Sequence, residues 1–428
     1  MKRLVILGAG TGGTVMANIL RKQLSPAEWS VTVVDRDTDH YYQPGFLFVP
    51  FGLYAPKQLV KDRAKLLPES VEFVVAPVEG IDPAKAEVRV GGGEALPYDL
   101  LVIATGCDIQ PDETPGMRDG WRDTIFDFYT PEGSAALAPK LEAFKGGTLA
   151  IHVNELPVKC PVAPLEFAFL SDWFFTRRKR RDAVDIVFVT PLSGAFTKPV
   201  SAAALGALLE ERKIRVVPDF GTERIDAAAR KIVGYDGREV AYDLLVTIPT
   251  NMGAQVIEDS GLGDELRFVP TDPKTLRSKK HENIFVIGDA TDCPASKAGS
   301  VVHFEAEILA GNIERAIAGK PLAEDFDGHA NCFIETGRGR AILIDFSYEV
   351  EPLPGRFPFP VVGPMPLLKP SRLNHWGKLA FRWIYWHMMV KGRPIPFIPT
   401  RLKMAGKKRP AAPAAPAGPG VSPSGGKS

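Results

Sequence analysis

The chain has 428 residues, 45% apolar and 24% charged, with a mean hydropathy near zero. This excludes a disordered, collagen-like or multispan membrane chain and leaves room for two or three domains at ~150 residues each. Four cysteines exclude a disulfide scaffold, and the +1 formal charge hides an asymmetry: Lys369–Ser428 holds 12 basic and no acidic residues, leaving 40 basic against 51 acidic before it. An acidic body with a basic tail argues against a nucleic-acid partner and for a C-terminus that meets an anionic surface.

Met1–Leu7 is too short for a secretory h-region, so no signal peptide is expected. No stretch reaches the ~18 apolar residues of a spanning helix. Lys2–Leu7 reads as a buried strand, Thr14–Leu24 as a helix and Ser30–Val34 as a second strand ending in Asp35. The loop between the first strand and the helix satisfies G-x-G-x-x-G through Gly8, Gly10 and Gly13. Gly8 permits the tight turn, Gly10 lets backbone N–H groups approach a pyrophosphate, and Gly13 lets the helix pack on the strand. Asp35 stands where an acid reaches a ribose hydroxyl. Strand, loop, helix, strand and acid in this order predict a dinucleotide site.

Tyr98-Asp99-Leu100-Leu101-Val102 recurs as Tyr242-Asp243-Leu244-Leu245-Val246. Each copy follows a hairpin-like segment, Glu87–Leu96 and Lys231–Ala241, and the first runs on into Ala104-Thr105-Gly106. The repeat implies two similar βαβ domains in tandem. Asn283–Ala290 reads as a buried strand ending in Gly288-Asp289, a return to the first domain whose acid suits a flavin nucleotide or a helix N-cap. This set resembles the two-dinucleotide-domain flavoprotein disulfide reductases, in which the first domain holds FAD. The expected fold class is α/β: two tandem Rossmann-like dinucleotide-binding domains plus a C-terminal amphipathic membrane-binding segment.

The second domain lacks its own glycine loop. After the strand Thr148–Val153 comes Asn154-Glu155-Leu156-Pro157-Val158-Lys159-Cys160-Pro161, where side chains and two prolines fill the space a pyrophosphate needs. A nicotinamide cofactor is therefore disfavoured. Cys160 precedes an apolar run, Val162–Phe175, read as a helix. A thiol at a helix N-terminus beside Lys159 is expected to be partly thiolate; the other reading is a buried structural cysteine. Farther on, Asn331-Cys332-Phe333-Ile334-Glu335-Thr336 reads as a strand, Gly337-Arg338-Gly339 as a turn and Ala341–Tyr348 as the returning strand.

The segment Lys-Cys-Pro-Val-Ala-Pro around Cys160, Asn-Cys-Phe-Ile-Glu around Cys332 and the basic aromatic C-terminus together resemble sulfide:quinone oxidoreductases, in particular the type III branch. The resemblance implies a redox pair of Cys160 and Cys332, and a Lys297 that stabilises negative charge on reduced flavin or assists quinone protonation; the other reading of Lys297 is a surface lysine at a helix start. It implies FAD held by Gly8, Gly10, Gly13, Asp35, Pro44, Gly106, Gly288 and Asp289. It also implies that hydrosulfide opens a Cys160–Cys332 disulfide or trisulfide, leaving a persulfide on Cys160 and a thiolate on Cys332 that reduces the flavin. Electrons then reach a membrane quinone, and the product is zero-valent sulfur or polysulfide. Many members carry a third cysteine in the region matching Trp121–Ala135; this chain has none there, which leaves flavin attachment open. Cys107 and Cys293 read as bystanders. Phe333 is a quinone-stacking or core residue, Glu166 a proton relay or an ion-paired carboxylate, and His303 a helix histidine. No metal site is expected.

Expected boundaries are 1–145 for the first part of the FAD domain, 146–265 for the second domain, 266–330 for the return, 331–406 for a hairpin and membrane foot, and 407–428 for a disordered tail. On a helix from Asn374 to Val390, Trp376, Leu379, Ala380, Trp383, His387 and Val390 share a stripe, with Lys378, Arg382 and Tyr385 away from it. That pattern fits an interfacial helix and a peripheral protein on the cytoplasmic face of the cell membrane. A homo-oligomer is compatible with the sequence. The alternative readings are the flavoprotein subunit of a flavocytochrome-type sulfide dehydrogenase, a type II NADH:quinone dehydrogenase, and a membrane-associated flavin-binding sensor.

Overall fold

The first glycine loop opens a five-stranded parallel sheet. Lys2–Leu7 lies at its centre, flanked by Trp29–Asp35 and Leu100–Ile103; Glu72–Val75 and Ile284–Val286 form the edges. These strands are nearly continuous apolar runs because helices cover the faces. The last of them comes from the return segment, so the first domain is completed by chain that lies beyond the second. The computed structural model describes residues 1–360 and 362–408, and the part of the expected tail at 409–428 lies outside them.

A second five-stranded parallel sheet repeats the order. Gly147–Val153 is central, Val184–Val189 and Leu244–Ile248 flank it, and Arg215–Val217 and Ile125–Phe126 form the edges. The sequence repeat has a structural counterpart in detail. Asp99 accepts from the Arg3 backbone N–H at 2.7 Å, and Asp243 accepts from that of Thr148 at 2.7 Å, so each copy ties its strand to the start of the central one. Each sheet also carries a three-stranded antiparallel ribbon, 78–97 and 222–241. An antiparallel pair, Cys107–Gln110 with Thr250–Gly253, joins the halves.

Two boundaries shift. The edge strand Ile125–Phe126 already belongs to the second sheet, so the chain crosses between halves before 146. Lys407, expected to open a disordered tail, is packed: it bridges Gly355 and pairs with the buried Asp345 carboxylate at 2.5 Å.

The C-terminal part is a small sheet of Ala330–Glu335, Ala341–Phe346, Met365–Leu367 and Gly355–Phe357, followed by a helix, Arg372–Ile384, and a π-turn, Tyr385–Met389. Ser371 caps that helix by accepting from Asn374 N–H at 3.0 Å. No helix among the described residues is long and apolar enough to cross a membrane.

Candidate functional site

The glycine loop is fixed by close packing. Gly8 has φ +94°, and a Cβ there would lie 2.4 Å from the Ala104 carbonyl oxygen; a Cβ on Gly13 would lie 1.8 Å from the Gly8 carbonyl oxygen. Nothing lies within 4 Å of a Cβ built on Gly10, so bare backbone faces open space at the N-terminus of Thr11–Gln23. Asp35 accepts from Ala9 N–H at 2.6 Å and pairs with Arg63. The acid expected at the ribose thus also braces the loop, and is itself held by Arg63, which the sequence reading missed. Gly106 (φ +69°) likewise has open space around it. Pro44 lies in the turn Gln43–Phe48, half-buried.

On the return segment, Gly288 donates its N–H to Glu305 at 2.7 Å. Glu305 was not anticipated: burial pushes its carboxyl up to about 7 despite that bond. Burial also raises Asp289, against the pull of Lys297 and Lys159. The hydroxyls of Thr105 and Ser296 are buried without a partner. Bare backbone at Gly10, two orphaned hydroxyls and the braced acids fit a flavin dinucleotide, the group this fold family implies.

Lys297 is buried, with its ammonium over the Phe268 ring at 3.9 Å and donating to the Asp289 and Thr291 carbonyls at 3.0 and 2.7 Å. Its own carbonyl accepts from Cys160 N–H at 2.6 Å. Cys160 is therefore anchored to the return segment. It sits at φ +45°, a left-handed conformation that costs a non-glycine residue about 1–2 kcal/mol. Its carbonyl accepts from Ala163 N–H at 2.8 Å and from the Tyr129 hydroxyl at 3.2 Å, which holds it there.

Cys160 and Cys332 carry free thiols; Cys332 is buried in the apolar core and Cys160 is half-buried against it, close enough that charge on Cys332 raises the Cys160 pKa. The strand of Cys332 is tied to the helix after Cys160 by the Glu335 N–H donating to Glu166 Oε1 at 2.5 Å. The expected low thiol pKa is reversed. The helix starts at Ala163, beyond Cys160. Burial, then Glu166, pushes the Cys160 thiol well above its usual range. Burial pushes Cys332 to about 11, opposed by the Ser300 hydroxyl, 3.9 Å away, and by Lys378. Lys159 acts instead on Cys107 and Asp289.

The cation that acts on both thiols is Lys378, from the C-terminal helix. It pairs with Glu166 and donates to the Phe333 carbonyl at 3.0 Å. Glu166 is thus ion-paired. Beside it, His375 donates to Glu335 at 2.7 Å, and that bond raises the histidine pKa. One sequence signal pointed here: an acid inside the apolar run 162–175 needs a buried partner.

Burial pushes the other two thiols, Cys107 and Cys293, to about 12 each. His303 lies on the helix Gly299–Ile317, 3.7 Å from Glu307. Phe333 is half-buried against Gly377.

The C-terminal helix turns the expected stripe outward, with changes. Leu373, Trp376 (65% exposed), Ala380, Trp383 (60%) and His387 face out, while Lys378 faces in. Val390 leaves the stripe and is buried, as are Tyr385 and Trp386. Tyr385 reaches the glycine loop, with its hydroxyl 2.8 Å from Thr11 Oγ1 and 2.7 Å from His40 Nε2.

Residues 2–134 match the pyridine nucleotide-disulphide oxidoreductase family. The chain is 27% identical to a mitochondrial sulfide:quinone oxidoreductase of Mus musculus, over 91% of this chain and 86% of the relative. It is 28% identical to one from Dictyostelium discoideum, with the same coverage. Its fold superposes on the sulfide:quinone oxidoreductase structure from Aquifex aeolicus with a TM-score of 0.76, at 22% identity and over 92% of each chain. Over nine-tenths of its length the chain is thus similar to sulfide:quinone oxidoreductases.

Proposed function

We propose that this chain is an FAD-dependent sulfide:quinone oxidoreductase acting through Cys160 and Cys332. The observation that carries the reading is that Cys160, after the central strand of the second sheet where side chains replace a glycine loop, and Cys332, on the C-terminal sheet, lie beside one Lys378–Glu166 pair. The similarity to sulfide:quinone oxidoreductases over nine-tenths of the chain supports it and favours none of the alternatives: a flavocytochrome subunit, a type II NADH dehydrogenase or a sensor.

Burial that penalises a thiolate favours a neutral sulfur bridge between the two cysteines. Hydrosulfide attacks the Cys160 side of that bridge. A sulfur–sulfur bond forms on Cys160, the old one breaks, and Cys332 leaves as the thiolate. Lys378 offsets that charge. Bound FAD supplies the two-electron acceptor that passes the pair to a quinone, which also takes up two protons. Once the pair has left Cys332, the persulfide sulfur loses its proton and closes on Cys332 as a trisulfide, and a further hydrosulfide takes the inserted zero-valent sulfur away as polysulfide and restores the disulfide. Gly8, Gly10, Gly13, Asp35, Pro44, Gly106, Gly288 and Asp289 hold the dinucleotide. Lys297 positions Cys160 through its carbonyl.

The quinone enters beside Phe48, Tyr54 and Phe333. Lys378 lies 5.7 Å from the Phe48 ring and Arg382 4.5 Å from the Tyr54 ring. The exposed Leu373, Trp376, Trp383 and Phe397 form the foot that seats this mouth in an anionic leaflet, where each nearby basic residue contributes about 1 kcal/mol. The type III branch and the cytoplasmic face belong to the same proposal.

Anaerobic sulfide should bleach the flavin absorbance, and a short-chain quinone should restore it. Cys160→Ser and Cys332→Ser should bind FAD and fail to bleach. Full bleaching in either variant would refute the assignment.

A further inference from the structure

We infer that Lys378 is a positioning residue of the sulfur pair, delivered from the C-terminal helix and held beside the thiols by Glu166, so that the seat of that helix governs thiol reactivity. The inference rests on Cys160 and Cys332 being the redox pair.

The geometry converges on one ammonium. Its bonds run to the carboxylate of Glu166, on the helix that follows Cys160, and to the carbonyl of Phe333, the residue after Cys332. One cation therefore ties together the two segments that carry the sulfurs. The Glu335 N–H donates to the same Glu166 oxygen, closing the junction between helix and strand. Lys378 has little freedom to leave, because Gly377 packs against the rings and side chains beneath it: a Cβ there would lie 2.4 Å from Met365 and 2.8 Å from Phe333. The opposite face of the same helix presents Trp376 and Trp383 to the exterior.

The charged and titratable groups around the thiols are few. Lys378 and His375 come from the C-terminal helix, Glu166 from the helix after Cys160, Glu335 from the strand of Cys332, and Asp345 from the neighbouring strand. Ser300 and Tyr129 add hydroxyls. Burial works against the charge on Lys378, but Glu166 and Cys160 outweigh it and keep it cationic. Glu166 and Asp345 both raise Cys332, and Lys378 is the charged group that opposes them, alongside the Ser300 hydroxyl. Loss of this cation should leave the two thiols to burial and the carboxylates.

The test uses the full chain with FAD bound. The rate of iodoacetamide labelling at Cys160 and Cys332 is followed by mass spectrometry across the neutral to alkaline range, after reduction with a dithiol. Lys378→Met should move the labelling midpoint up by about one pH unit or more. Lys378→Arg should keep it near wild type, and Glu166→Gln should move it down. An unchanged midpoint in a flavin-loaded Lys378→Met protein overturns the inference. Should that variant lose its flavin, an unchanged midpoint in Glu166→Gln overturns it instead. Labelling needs neither sulfide nor quinone, so its failure is distinguishable from failure of the proposed activity.

Discussion

The hydroxyl of Tyr385 connects the C-terminal segment to the dinucleotide loop, and removing it has a calculable effect. His40 is buried and held neutral, its pKa lowered to about 4 by burial. Its Nδ1 lies 3.0 Å from the Ala9 carbonyl, which can only accept, so Nδ1 carries the proton and Nε2 is the acceptor. Tyr385 therefore donates to Nε2 at 2.7 Å and accepts from Thr11 at 2.8 Å. Tyr385→Phe leaves His40 Nε2 buried without a donor, beside a loop that has lost one anchor. An unsatisfied buried group costs about 1–3 kcal/mol. Where that cost falls on the loop conformation that binds FAD, it weakens affinity by up to about tenfold per 1.4 kcal/mol. The assay is FAD titration of the stripped protein by flavin fluorescence, with thermal unfolding of the loaded form alongside. The expected result is weaker FAD binding and a lower Tm, with no change in cysteine labelling. Wild-type affinity and Tm would show that the C-terminal segment does not support the loop.

Three further outcomes follow from the same structure. Trp376→Ser with Trp383→Ser should weaken flotation with anionic vesicles by at least about tenfold, because two large apolar side chains leave the bilayer, while Tm stays at the wild-type value because both side chains are exposed; undiminished flotation would remove the foot. Glu305 titrates from its usual 4.5 in the unfolded chain to about 7 when folded, so the native state holds a proton that the unfolded state has released, and stability falls as pH rises through that window. In FAD-free protein, Glu305→Gln should lose this part of the pH dependence of Tm; an identical profile would contradict the burial argument. NADH should not bleach the flavin, since Asn154, Glu155 and Thr250 are bonded to one another where a second glycine loop would stand; rapid bleaching by NADH would contradict that reading.

The glycine loop was legible because local order specifies it: Gly8 and Gly13 are forced by contacts with Ala104 and with each other, and the strand, helix and acid around them follow in sequence. The Tyr-Asp-Leu-Leu-Val repeat was legible because both copies solve the same problem, with an aspartate capping the start of a central strand. The pairing of Cys160 with Cys332 came from resemblance, since no local pattern brings together residues so far apart. Helical periodicity identified which residues share the C-terminal stripe. It missed that Lys378 turns inward, because that depends on Glu166, which lies far away in sequence. The sign of the thiol shift was missed for a related reason. A helix terminus and Lys159 are visible in sequence, whereas burial, the larger effect, is not. Glu305, Arg63 and Tyr385 were missed because each acts through a long-range bond.

The most direct test of the account is a non-reducing peptide map of the oxidised, sulfide-treated protein by mass spectrometry. The account predicts that the peptides of Cys160 and Cys332 are found joined, directly or through one added sulfur, with Cys107 and Cys293 free. A map in which Cys160 and Cys332 are never joined, or in which Cys107 or Cys293 takes the place of either, would contradict it.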